Sequence, residues 1–182
     1  MENFDDIFSR PPVPNGWNGQ CFGCSKHNEH GLQLDFYIKN NKCYSKITVP
    51  SYYCGFEGIV HGGITALLLD EIAAWTLGVN KVKMGFTLKS TNEYLHPVPT
   101  EKELILMGKI LKEKDDIITI YSEVKNREGE VYGKCSSIWK IPDLPLMSKL
   151  TGVELSKLKG MVGNLVQPLK EYREKHLDSA ES

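Results

Sequence analysis

From Gly58 to Glu71 the chain reads Gly-Ile-Val-His-Gly-Gly-Ile-Thr-Ala-Leu-Leu-Leu-Asp-Glu, and several residues in that run can do chemistry. His61, Gly62 and Gly63 stand where a loop passes into a helix. Glycines there let a ligand approach the backbone, and the unpaired N–H groups of a helix start favour negative charge or a polarised oxygen. Asp70 and Glu71 stand in the middle of an otherwise apolar helical run, where a carboxylate is costly to bury and usually has a specific task. A carbonyl-polarising helix end and a carboxylate on one helix are two components of acyl-transfer or hydrolytic chemistry. Successive helical residues point about 100° apart, so only one of the two acids can face a given pocket. Asp70 is the preferred one. Each feature also has a plainer reading: Asp70 as a structural acid, the glycines as tight packing of helix on sheet, His61 as a structural histidine whose ring holds the loop.

A second group, Cys21, Cys24, His27 and His30, has the residue types that suit zinc. Its spacing is uniformly short, without the long loop usual in closed zinc sites, so the expectation is no metal. The 5 cysteines are an odd and scattered set, which argues for reduced thiols rather than disulfides. The acidic start, Met1-Glu2-Asn3-Phe4-Asp5-Asp6, lacks the apolar core of a signal peptide, and no uninterrupted apolar stretch approaches the ~20 residues that cross a bilayer. A formal net charge of -1 gives no global electrostatic reason to bind nucleic acid or a membrane. The expected location is the cytoplasm.

The elements that must position these residues are read from periodicity. In a chain of 182 residues, positions up to about 19 are rich in Pro, Asn and Gly and read as an irregular arm, extending to residue 30 at most. Residues 32–38 alternate as a half-buried strand, Asn40-Asn41 forms a turn, and 43–49 is the returning strand of a hairpin. Residues 50–58 form a loop, and a helix runs from about His61 to a stop at Gly78. Four more strands are expected at 83–94, 102–112, 117–125 and 131–140. The implied fold is α+β, an antiparallel sheet packed on one long helix and filling residues 1–142. From 143 to 182 apolar residues recur at helical spacing, with Gly160, Gly163 and Pro168 expected to split the segment into two helices that cover the sheet or a partner subunit.

Three segments carry a resemblance to a known family: Cys21-Phe22-Gly23-Cys24 continuing to Asn28 and Gly31–Phe36; Gly58 to Glu71; and Gly85-Phe86-Thr87-Leu88 through Pro97. Over about residues 20–142 the chain resembles the hotdog-fold acyl-CoA thioesterases, in the branch of the phenylacetate-pathway and 4-hydroxybenzoyl-CoA enzymes. The resemblance implies a long helix wrapped by an antiparallel sheet, a homodimer whose active sites lie between two chains, and in some members a dimer of dimers. It implies that the Gly62 N–H meets the thioester carbonyl, that Asp70 is the catalytic carboxylate and that Thr87 assists. His61, Gly63, Glu71, Gly85 and Phe86 are the implied substrate contacts. The substrate is an acyl-CoA thioester, and no cofactor is needed beyond the coenzyme A it carries. Lys81, Lys83 and Lys89 are candidates for its phosphates. Phe86 and Leu88 face away from Thr87 and are expected in the core or an interface. One departure stands out: Gly55 occupies a position where some members carry Asn or Gln. The rival readings are a regulator that binds acyl-CoA without hydrolysing it, and a hydratase or dehydratase on the same scaffold.

Overall fold

The computed structural model describes residues 2–17 and 19–176. Helix α1 (Phe4–Phe8) opens the chain, followed by strands β1 (Tyr37–Lys39) and β2 (Lys42–Thr48), the short pair β3 (Cys54–Phe56) and β4 (Ile59–Val60), and helix α2 (Gly62–Lys81). Strands β5 (Phe86–Tyr94), β6 (Glu103–Lys114), β7 (Ile117–Lys125) and β8 (Val131–Lys140) precede helices α3 (Leu144–Thr151) and α4 (Leu155–His176). Six strands form one antiparallel sheet in the order β1-β2-β6-β7-β8-β5.

The sheet is covered on both faces because β6 alternates. Leu104 and Leu106 join the core around α2, while Ile105 and Met107 pack with Phe4, Ile7, Tyr37 and Tyr44 beneath α1. Helix α2 is held close to the sheet at Gly108, where a Cβ would stand 2.0 Å from the Thr76 hydroxyl oxygen. The Ser122 hydroxyl donates to the Leu69 carbonyl at 2.8 Å. Although Asp70 and Glu71 interrupt its apolar run, α2 is long and apolar enough to cross a membrane by length and composition. Leu68, Leu69, Ile72 and Ala73 are fully buried within the fold, so its apolarity belongs to a core helix.

Several boundaries differ from the sequence reading, each for a local reason. The arm is not wholly irregular: Asn3 caps α1 by accepting the Asp6 N–H at 3.1 Å, and Phe4 and Ile7 are buried. Residues 34 and 36 are buried as expected, but 32–36 bond to the arm rather than to a strand, with Leu32 and Leu34 donating to Phe22 and Gly23 and Val13 donating to Phe36. Only Tyr37–Lys39 enters the sheet. Asn40 and Asn41 both take positive φ (51° and 57°), as a two-residue hairpin turn demands. Gly78 does not stop α2. The helix runs on to Lys81, Val82 takes the left-handed cap with φ 53°, and Arg173 donates to the Val79 and Asn80 carbonyls at 2.8 Å. The C-terminal segment does split in two, but at Gly152 (φ 69°) rather than at Gly160, Gly163 or Pro168. Pro168 is carried inside α4 because Leu165, Leu169 and Tyr172 are buried around it, and Tyr172 donates to the Pro11 carbonyl at 2.8 Å. Packing of this kind outweighs the one backbone bond that proline removes.

Candidate functional site

His61 stands just before α2, and its ring fixes the helix start. Its Nδ1 accepts the Gly63 N–H at 2.9 Å, while the His61 carbonyl accepts from Ile64 and Thr65. A ring nitrogen used as a cap acceptor is not free to act as a base there. Among the described residues, the Gly62 N–H is the one of these four first donors left without an acceptor. A Cβ on Gly62 would meet only a Tyr94 ring carbon at 3.8 Å, an ordinary contact, whereas a Cβ on Gly63 would lie 3.0 Å from His61 Nδ1. A side chain at position 63 would thus press on the capping ring, whereas one at position 62 would meet nothing tight within one chain. Gly55 lies against His61, where a Cβ would come within 3.0 Å of the ring. The imidazole thus takes the space a longer side chain would need.

Asp70 lies two turns further along α2, half-buried. The Thr87 hydroxyl on β5 donates to its Oδ1 at 3.0 Å. Burial pushes the Asp70 carboxyl above its ordinary range, partly opposed by that hydrogen bond. A carboxylate so placed can accept a proton from water or attack an acyl carbon.

Strand β5 is the free edge of the sheet next to β8, and nearly all of it is exposed. Leu88 is 60% and Tyr94 55% exposed. Leu88 is therefore not core; the register shift between Thr87 and Lys89 turns it outward. Phe86 and Gly85 are half-buried at the start of the strand, with Gly85 close against Leu77 and the Lys140 carbonyl. Lys81 is committed to Glu113, while Lys83 and Lys89 are exposed.

Glu71 points away from Asp70, under the N-terminal arm. Both of its oxygens lie 3.6 Å from the Cys21 sulfur, and Trp75 Nε1 donates to Oε1 at 3.2 Å. Burial pushes its carboxyl up to about 7. Hydrogen bonding with Cys24 holds the Cys21 thiol down, and the same contact together with burial pushes Cys24 up. This group lines an apolar cavity of about 250 Å³ closed by Trp17, Leu165 and Leu169. The sequence grouping of Cys21 and Cys24 with His27 and His30 is corrected here: the third donor near the thiols is Glu71, and neither histidine belongs to the cluster. The legible signal was the second carboxylate of the Asp70-Glu71 pair, which had to face somewhere other than Thr87.

Residues 57–132, from the loop before α2 into β8, match the family model of the thioesterase superfamily. No curated protein matches the chain. Among solved structures, one described as a thioesterase superfamily protein superposes with a TM-score of 0.63 at 23% identity, covering 72% of this chain and 66% of that protein. A Streptococcus mutans protein bound to acetyl-CoA superposes at 0.55 with 17% identity, over 60% of this chain and 88% of its own. A hypothetical thioesterase from Streptococcus pneumoniae, solved with coenzyme A, gives 0.55 at 18% identity over 65% and 93%. The fold is the hotdog fold, α+β, with the antiparallel sheet around one long helix and helices at the C-terminal end.

Proposed function

We propose that the protein is an acyl-CoA thioesterase whose site is shared by two subunits. One observation carries the reading. The Gly62 N–H and the Asp70 carboxylate are eight positions apart on one continuous helix, about 12 Å along its axis. A single thioester needs a donor within about 3 Å of its carbonyl oxygen and an attacking group within about 3.5 Å of its carbon. One chain cannot supply both. A second copy, joined edge to edge through β5 with its α2 antiparallel, would bring Asp70 of the partner subunit to the Gly62 of the first. The exposed edge strand, with Leu88 and Tyr94 outward, supports that pairing.

In this reading the Gly62 N–H polarises the carbonyl, and Asp70, oriented by Thr87, either removes a proton from the attacking water or attacks the acyl carbon itself, in which case a water then cleaves the resulting mixed anhydride to free the acid and restore the carboxylate. The tetrahedral centre collapses by breaking the C–S bond. The thiolate, with a parent pKa of about 8.5, leaves without a strong acid and takes up a proton from solvent. His61 and Gly63 shape the donor loop, Gly85 and Phe86 flank the acyl group, and exposed Lys83 and Lys89 are placed for coenzyme A phosphates. The hydrolysis as drawn uses no cofactor. The Cys21–Cys24 approach and the mid-helix carboxylate support placing the protein with the phenylacetate-pathway branch. The test is release of free coenzyme A from short, long and aryl acyl-CoAs, followed with a thiol reagent. Wild type releases thiol and Asp70→Asn does not. Binding of acyl-CoA without release would make the protein a sensor instead, and loss of enoyl-CoA absorbance without free thiol would make it a hydratase.

A further inference from the structure

We propose that Cys21, Cys24 and Glu71 form a binding site for one soft divalent cation of the zinc class, open on the side that faces the cavity under α4. The donor atoms of these three residues all lie within 4.8 Å of one another. Bond lengths of about 2.3 Å to sulfur and 2.0 Å to oxygen give a tetrahedral site sulfur–oxygen edges of ~3.5 Å and sulfur–sulfur edges of ~3.8 Å. The Cys21 sulfur already stands 3.6 Å from each Glu71 oxygen. Little movement separates the present arrangement from a coordinating one.

The surroundings are those of ligands held in place. Trp75 Nε1–H donates to Glu71 Oε1 and fixes the carboxylate plane, and the N–H groups of Gly23 and Cys24 are directed at the Cys21 sulfur. The turn between the two cysteines can lie this close to the helix only because its third residue is glycine. A Cβ on Gly23 would stand 2.5 Å from the Glu71 carboxyl carbon. No ion pair joins Glu71 to a basic side chain among the described residues, so a partly buried carboxylate and two thiols meet without a cation. A divalent ion supplies the missing positive charge. The described residues offer three donors and no fourth, and the cavity beside them has room for water or another small ligand. Three protein ligands with one position open is the pattern of a zinc site that exchanges a ligand.

The test uses the full chain, reduced and stripped with a chelator, and titrates it with Co²⁺ and then Zn²⁺. One equivalent of cobalt should give thiolate-to-metal absorption in the near ultraviolet and the intense visible bands of a tetrahedral ion, and zinc should bleach both. Glu71→Gln should weaken cobalt binding at least about tenfold, and half-exposed Cys21→Ser should abolish the sulfur band. Circular dichroism on each variant separates loss of ligand from loss of fold. If Cys24→Ser fails to fold, the Cys21 and Glu71 variants decide alone. Absence of the bands in folded wild type overturns the proposal. So does formation of a Cys21–Cys24 disulfide by oxidised glutathione in protein that takes up no cobalt, which would make the pair a redox dithiol. These readouts do not involve thioester hydrolysis, so they stand or fall apart from the proposed activity.

Discussion

The two sides of α2 carry neighbouring carboxylates in contrasting settings. Asp70 faces a free sheet edge, touches one hydroxyl and stands in reach of anything that docks on β5. Glu71 faces a more sheltered side, where it meets two thiols beside Trp75 and a cavity that the arm and α4 partly cover. The first side opens onto an edge strand that carries Leu88 and Tyr94 outward among polar residues. The second is more enclosed and joins a carboxylate to two thiols with no basic side chain beside them among the described residues. Sequence adjacency thus says little about shared purpose on a helix, because a 100° turn assigns consecutive residues to different environments.

The contrast can be broken at either side. Asp70→Asn keeps a partner for Thr87 but removes the base, and the proposed activity should fall by about 10³-fold or more with the melting temperature little changed. An equal loss of stability would mean that Asp70 is structural. On the Glu71 side, Trp75 is 7% exposed and stacks on Phe36 at 4.4 Å. Trp75→Ala should cost about 3–5 kcal/mol in a denaturant melt, through lost burial and the cavity left beside Phe36. Gly62→Pro sharpens the comparison on the open side. Gly62 is the first helical residue, where proline's fixed φ is suited and its missing N–H breaks no helical bond, and His61 at ψ 136° suits a following proline. It should reduce turnover by about 10²-fold and leave thermal stability unchanged.

The smallest effect lies far from both sides. Burial alone would raise Glu2, but hydrogen bonds from Lys42, Lys125 and Tyr44 hold its carboxyl down to about 2. A depressed folded-state pKa stabilises above the ordinary value of 4.5, and that contribution fades as pH falls towards 2. Glu2→Gln should therefore lose under about 1 kcal/mol near neutral pH, and its melting temperature should converge on wild type in strong acid.

Much of this was legible where local chemistry dictates structure. The β7 and β8 boundaries at 117–125 and 131–140 follow from alternation, and the Asn40-Asn41 turn from residues that tolerate positive φ. The histidine and paired glycines announced the start of α2 at Gly62. What was not legible depends on distant partners. Gly78 reads as a stop, but Arg173, nearly a hundred positions on, caps the helix beyond it. Pro168 reads as a break until Leu165 and Leu169 are seen buried on either side. The Asp70–Thr87 contact was expected through family resemblance alone, because a threonine in a strand is unremarkable by itself. The direction of Glu71 was hidden because the arm that covers it has no periodicity to reveal where it lies.

The central claim is that each site draws on two chains, and subunit mixing tests it most directly. Asp70→Asn and Gly62→Pro proteins, each at about a hundredth of wild-type activity or below when alone, are unfolded together, refolded and assayed for thiol release. If the sites are shared, every mixed dimer has one site with both groups intact and one with neither, and random pairing should restore roughly a quarter of wild-type activity. If each chain holds its own complete site, every site in the mixture carries one defect, and the activity will stay at the level of the separate variants.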